Sequence, residues 1–80
     1  MKREYKIKWV QPAGYDPTAM LSKMPSPIAP KFREIYNYSV DEDGFYFVDN
    51  LIDERIAGQA FKLFVDEALS HTRRIEIEKI

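Results

Sequence analysis

The longest regular pattern in the chain is Asn50-Leu-Ile-Asp-Glu-Arg-Ile-Ala-Gly-Gln-Ala-Phe-Lys-Leu-Phe-Val-Asp-Glu-Ala-Leu-Ser-His-Thr72. Apolar residues recur in it at steps of three and four, which places them on one face of a helix: Ala57, Ala60, Phe61, Phe64 and Ala68. We expect Asp49 or Asn50 to cap the first turn, with Asp53 and Glu54 near the positive end of the helix dipole. This pattern predicts one long helix that the rest of the chain covers.

Length and composition indicate a single α+β domain over residues 1–80. Hydrophobic residues make up 45% and charged residues 31%, which is ordinary for a globular chain. The net charge of −1 argues against a protein held to nucleic acid or membrane mainly by bulk charge. Because the chain has no cysteine, stability must come from packing alone or from packing plus an oligomer interface. The beginning of the chain lacks the apolar run of a secretory signal, and the absence of cysteine fits the cytoplasm, where we expect this protein.

Both ends of the chain alternate as half-buried strands do. In Lys2–Val10 one face carries Tyr5, Ile7 and Trp9, and the other carries Glu4, Lys6 and Lys8. Arg73–Ile80 places two isoleucines on one side and Glu76 and Glu78 on the other. Opposite charges on adjacent strands attract, so we predict that the two terminal strands are neighbours.

The middle of the chain predicts a short helix and a hairpin. Asp16–Met24 has a capping residue, a proline at the first helical position and a proline stop, which favours about two helical turns. Residues 24–30 then form an extended, proline-rich connection. Phe32–Val48 reads as a hairpin with its turn at Asp41–Gly44, where Gly44 is able to take a positive φ. The three carboxylates of this turn lack the spacing of a calcium loop and indicate an acidic, solvated turn.

The predicted order is strand, short helix, strand, strand, long helix, strand. It is the order of the ferredoxin-like βαββαβ sandwich with a very short first helix. If residues 16–24 are only loop, the fold becomes a three- or four-stranded antiparallel sheet with one helix across it. Both alternatives are α+β.

Two features favour a role in binding proteins. Met20, Leu21 and Met24 form an apolar stripe beside the proline-rich connection that contains Ile28. Flexible methionines suit partner surfaces, although most such stripes seal a core. Gly58 inside the long helix costs about 1 kcal/mol relative to alanine, which is understandable if another backbone approaches closely there. We therefore expect a non-enzymatic binding or regulatory module that acts through protein contacts, with a homodimer as one form.

The alternative is single-stranded nucleic-acid binding on an open aromatic sheet face. Phe45 and Phe47 alternate on a predicted strand, and stacked bases would use them together with Tyr5 or Trp9. Lys6 and Lys8 would contact phosphates. The competing structural interpretation is that these aromatic side chains form the core.

Catalytic and metal-binding patterns are few. His71 is the only histidine and ends the long helix, where a capping role is expected. The serines lie in no nucleophile motif, and the glycines are isolated. We expect no enzymatic activity, no cofactor and no metal site.

Overall fold

In the computed structural model, which describes residues 1–80, four strands form one sheet and one long helix packs across it. The elements in chain order are β1 (Arg3–Lys8), α1 (Thr18–Leu21), β2 (Ile28–Ala29), a 3₁₀ turn (Pro30–Phe32), β3 (Arg33–Glu34), β4 (Tyr36–Asp41), β5 (Gly44–Asp49), α2 (Glu54–His71) and β6 (Glu76–Lys79). β2 and β3 form a small second sheet. The predicted α+β class, with a sheet of about four strands on one long helix, is confirmed.

The sheet has the order β4-β5-β1-β6, and every pairing is antiparallel. β1 and β4 therefore run parallel with β5 between them, as in a split βαβ arrangement. The terminal strands are neighbours as predicted, with Lys6 opposite Glu78 and Lys8 opposite Glu76. The Lys8 Nζ lies 2.7 Å from the Glu78 carboxylate.

The core lies between α2 and one face of the sheet. α2 buries Ala57, Ala60, Phe64 and Ala68 there, so the apolar face read from the sequence is confirmed. Phe61 is half-buried at its margin. The Phe64 ring packs against Phe45 with ring centroids 4.9 Å apart, and small alanines along α2 allow the helix to approach the aromatic sheet closely.

α2 begins later than its sequence suggests. Its N-cap is Asp53, whose carboxylate accepts hydrogen bonds from the N–H groups of Arg55 and Ile56, both at 3.1 Å. The expectation that Asp49 or Asn50 caps the helix is wrong. The Asp49 carboxylate instead accepts from the Leu51 N–H at 2.8 Å, and Leu51 has a φ of 59° that interrupts any helical path before residue 53.

α1 is one turn long, where two turns were expected. The Asp16 carboxylate accepts from the Thr18 N–H at 2.9 Å and from the Thr18 hydroxyl at 2.6 Å, but the N-cap residue is Pro17, so the prediction of Asp16 as the cap and of proline at the first helical position is wrong by one residue. After Ser22 the backbone hydrogen bonds join residues three apart instead of four: the Lys23 N–H donates to the Met20 carbonyl and the Met24 N–H to the Leu21 carbonyl. Pro25 then prevents a further turn.

The middle hairpin starts at Tyr36 rather than at Phe32. β4 and β5 are joined by Glu42 and Asp43, and Gly44 has a φ of +148°, as the sequence predicts for this glycine. The supposed extended connection contains β2, which pairs with β3 by setting Ile28 opposite Glu34. Phe32 lies in the turn between β2 and β3, outside the main sheet.

Candidate partner-binding surface

The methionine stripe of α1 faces inward. Met20 is only 5% exposed and belongs to the core, and Leu21 and Met24 are half-buried against it. The expectation that Met20 contacts a partner is wrong, because its one-turn helix seals the core beside α2. Ile28, the predicted contact residue in the proline-rich connection, stays exposed.

The most exposed aromatic side chain is Phe32, at the tip of the small β2–β3 hairpin. It is 90% exposed, and it follows Pro30 and Lys31 in the turn. Lys31 and Phe32 have positive φ angles of 68° and 60°, a region that non-glycine residues seldom occupy. A strained turn thus presents a large apolar ring to solvent.

The base of this hairpin is fixed to the core. The Ile35 N–H donates to the Pro27 carbonyl at 2.6 Å, and the Tyr36 hydroxyl donates to the Pro25 carbonyl. Tyr36 is itself buried and stacks on Phe47 with ring centroids 5.6 Å apart. The tip therefore projects from a base with defined hydrogen bonds.

The exposed aromatic residue of the tip lies between two positively charged residues in the chain. Lys31 and Arg33 flank Phe32 in the chain, and neither takes part in an ion pair within the protein. The nearest acid in sequence, Glu34, accepts a hydrogen bond from the Asn37 side chain at 2.7 Å. The tip thus combines an apolar ring with two cations that have no intramolecular partner.

Gly58 lies on the exposed side of α2, and a Cβ placed on it would meet no atom within 4 Å. No other backbone of the chain approaches it. The sides of α2 next to its buried face are partly covered, since Ile56, Phe61 and Val65 of the helix pack against the core, as does Ile52 just before it. A role for Gly58 in contact with another molecule remains a prediction.

The residues proposed for nucleic-acid binding do not form one surface. Phe45 and Phe47 are 0% and 1% exposed beneath α2, so the expectation that they offer an open stacking platform is wrong. Trp9 is also buried, and Tyr5 is half-buried against Phe61. The physical reason is that α2 covers the aromatic face.

The lysines of β1 lie on the opposite face, among carboxylates. The Lys6 Nζ is 2.7 Å from Asp41 and 2.8 Å from Asp43. Burial lowers the pKa of Lys6, but the hydrogen bonds to these two acids outweigh it and raise the pKa overall. On the same face the Tyr46 hydroxyl donates to Glu4. The open sheet face is therefore a polar surface on which carboxylates pair with the lysines, rather than a basic aromatic one.

An aromatic cluster closes the C-terminal end of α2. The Tyr15 hydroxyl donates to the Glu67 carboxylate at 2.6 Å, and burial together with this bond raises the pKa of Tyr15. The His71 ring stacks on Trp9 with centroids 5.5 Å apart, and its Nε2 lies 3.8 Å from the same carboxylate. His71 is the last residue of α2, as expected. These groups fasten the helix end to the loop after β1.

Sequence reasoning missed Phe32 as a surface residue. The sequence pattern predicts Phe32 as the first residue of the hairpin over residues 32–48, yet it is an isolated apolar residue directly after Pro30-Lys31 and before Arg33-Glu34. A lone aromatic in a charged run after a proline is the signal that would have indicated an exposed tip.

Neither helix has the length and apolar character needed to cross a membrane. No group of three histidine, aspartate or glutamate side chains is arranged to hold a metal ion. Comparisons with protein-family models, with curated proteins and with solved structures find no match to this chain.

Proposed function

We propose that this chain is a non-enzymatic protein-binding module whose β2–β3 hairpin tip docks into a partner, with Phe32 as the anchor. The observation that carries the proposal is the 90% exposure of Phe32 on a turn fixed to the core. Burying a phenylalanine side chain contributes about 1.5–3 kcal/mol. Aromatic anchors of this kind supply much of the affinity of protein interfaces.

The strain of the turn supports the same proposal. A positive φ costs a non-glycine residue on the order of 1 kcal/mol, and Lys31 and Phe32 both have one. Neither side chain gains burial inside the protein in return, since both are exposed. Contact of the Phe32 ring with a partner would offset this cost.

The charges at the tip support one partner chemistry over others. Lys31 and Arg33 flank Phe32 without intramolecular ion pairs, so a complementary site is an apolar pocket with an acidic rim. Self-association is the second form of the proposal, in which another copy supplies the pocket.

The proposal is tested with Phe32→Ala and a matched control, Leu51→Ala. Leu51 is also an exposed apolar residue with a positive φ, but it precedes α2 rather than lying at the hairpin tip. Bound proteins would be identified by crosslinking and quantitative mass spectrometry, and self-association by light scattering over a hundredfold concentration range.

We expect Phe32→Ala to reduce the bound partner or dimer by roughly tenfold or more, the effect of a hot-spot residue. Its Tm should stay near that of the wild type because the ring packs against no core residue, and Leu51→Ala should retain binding. Lys31→Glu should weaken binding to an acidic rim. Partners that bind the wild type and Phe32→Ala equally would refute the assignment.

A further inference from the structure

The outer edge of β6 is a second feature with the properties of a binding site. β6 forms hydrogen bonds with β1 only and ends the sheet. The Ile80 N–H donates to the Glu4 carbonyl at 2.9 Å, so residues 76, 78 and 80 direct their backbone groups toward β1. The N–H and C=O groups of Ile77 and Lys79 therefore point away from the sheet, free to pair with another strand.

The side chains of β6 divide between the two faces of this edge. Ile77 lies on the helix side, opposite Ile7, and is 48% exposed because α2 does not extend over it. Glu76 and Glu78 lie on the other side. Glu78 pairs with Lys8, whereas Glu76 takes part in no ion pair. An added strand would thus meet one apolar position between two acidic ones.

β1, which pairs with the inner edge of β6, shows which sequence an added strand needs on the outer edge. β1 places Lys6 opposite Glu78, Ile7 opposite Ile77 and Lys8 opposite Glu76. We propose that the outer edge of β6 accepts, in antiparallel orientation, a strand of another protein in which basic and apolar residues alternate in the same way. This site is independent of the hairpin tip and is a case of β-strand addition.

A second copy of this chain fits the edge poorly. If two β6 strands pair with Ile77 opposite Ile77, each Glu76 stands opposite a Glu78, and like charges in this position are destabilising. Pairing with the other edge strand, β4, sets the glutamates against uncharged or acidic side chains: Asn37, Ser39 and Asp41. Charge complementarity therefore favours a basic strand from a different protein.

The residues before β6 limit where the basic side chains of the partner lie. Arg73 and Arg74 line an open groove together with Leu69 and Ile75. The C-terminal end of an antiparallel partner strand would lie beside this start of β6. Lysines or arginines are thus favoured opposite Glu76 and Glu78, followed by an acidic residue or a terminal carboxylate near the two arginines.

The probe for this site is a short synthetic peptide in which lysine and isoleucine alternate. Binding would be measured by fluorescence anisotropy, and the site mapped by amide chemical shifts in NMR spectra of the full chain. We expect the largest shifts at Ile77 and Lys79. Methylating the peptide's isoleucine amides should abolish binding, since in this register they face β6, whereas methylating its lysine amides should preserve it.

Variants of β6 complete the test. Glu76→Lys should lower the affinity for the lysine peptide roughly two- to fivefold. It should raise, by a similar factor, the affinity for a peptide that has glutamates in place of the lysines. Ile77→Pro should abolish binding while the β1–β6 ladder persists, because it removes an amide that points outward. Four results would each overturn the proposal. The first two are absence of binding and chemical-shift changes confined to other strands. The other two are an equal loss of binding with both methylated peptides and an equal affinity of the lysine peptide for wild type and Glu76→Lys.

Discussion

Replacing Gly58 by alanine tests how the long helix is used. Gly58 lies inside α2, and a Cβ there meets no atom within 4 Å, so the substitution introduces no clash. Glycine in a helix interior is less stable than alanine by about 0.5–1 kcal/mol because it loses more conformational freedom on folding. We therefore expect Gly58→Ala to raise the free energy of unfolding by that amount.

The expected change is large enough to measure as a shift in Tm. For a chain of 80 residues the entropy of unfolding near the midpoint is about 0.17 kcal/mol/K. A gain of 0.5–1 kcal/mol then corresponds to an increase in Tm of roughly 3–6 °C. Differential scanning calorimetry at two protein concentrations, a hundredfold apart, would measure it.

Gly14→Ala is the matched control for this experiment. A Cβ at Gly14 also meets nothing within 4 Å, but its φ is +74°, a conformation that costs alanine on the order of 1 kcal/mol. The control should therefore lower Tm while Gly58→Ala raises it. A lower Tm for Gly58→Ala at both concentrations would refute the reasoning, whereas a gain at low concentration that turns into a loss at high concentration would show that another molecule packs against Gly58.

Two further predictions concern the hairpin turn and the closed end of α2. Gly44→Ala should lower the free energy of unfolding, measured by urea denaturation, by about 2–5 kcal/mol. The reason is that the added Cβ would lie 1.9 Å from the Ile7 carbonyl oxygen, at a φ of +148°. An unchanged urea midpoint would contradict this prediction. Burial and the bond to Glu67 raise the pKa of Tyr15, so its contribution to stability is present below the unfolded value near pH 10 and is lost above it. Stability measured against pH should therefore fall more steeply above about pH 10 in the wild type than in Tyr15→Phe, and parallel curves would contradict this.

The sequence predicts the fold well where a repeating pattern of side chains is compatible with only one arrangement of the backbone. The apolar face of α2 and the charge match between β1 and β6 follow directly from side-chain spacing. The start of α2 does not, because Asp49, Asn50 and Asp53 can all cap a helix. Only the backbone of Leu51, with its φ of 59°, decides in favour of Asp53.

The candidate surfaces were harder to predict because exposure depends on which face the helix covers. Met20 and Phe32 are both apolar residues in the loop-rich region between β1 and β4, and hydrophobicity does not distinguish the buried side chain from the exposed one. Phe45 and Phe47 pose the same question on β5. α2 brings its alanines and Phe64 onto the aromatic face, and no pattern within β5 alone reveals this.

Both proposed surfaces follow from having one long helix above four strands. Phe61 and Phe64 of α2 pack on aromatic side chains of β4, β5 and β1, and α1 is too short to cover the rest of that face. Beside the start of β4 the chain compensates with the β2–β3 hairpin, which is held there by the bond from Ile35 to Pro27 and which carries Phe32 at its tip. No comparable segment lies beside β6, so Ile77 keeps an exposed side chain and an outward backbone. The exposed hairpin tip and the exposed edge of β6 thus both lie where the small helical layer, with a one-turn α1, leaves the sheet uncovered.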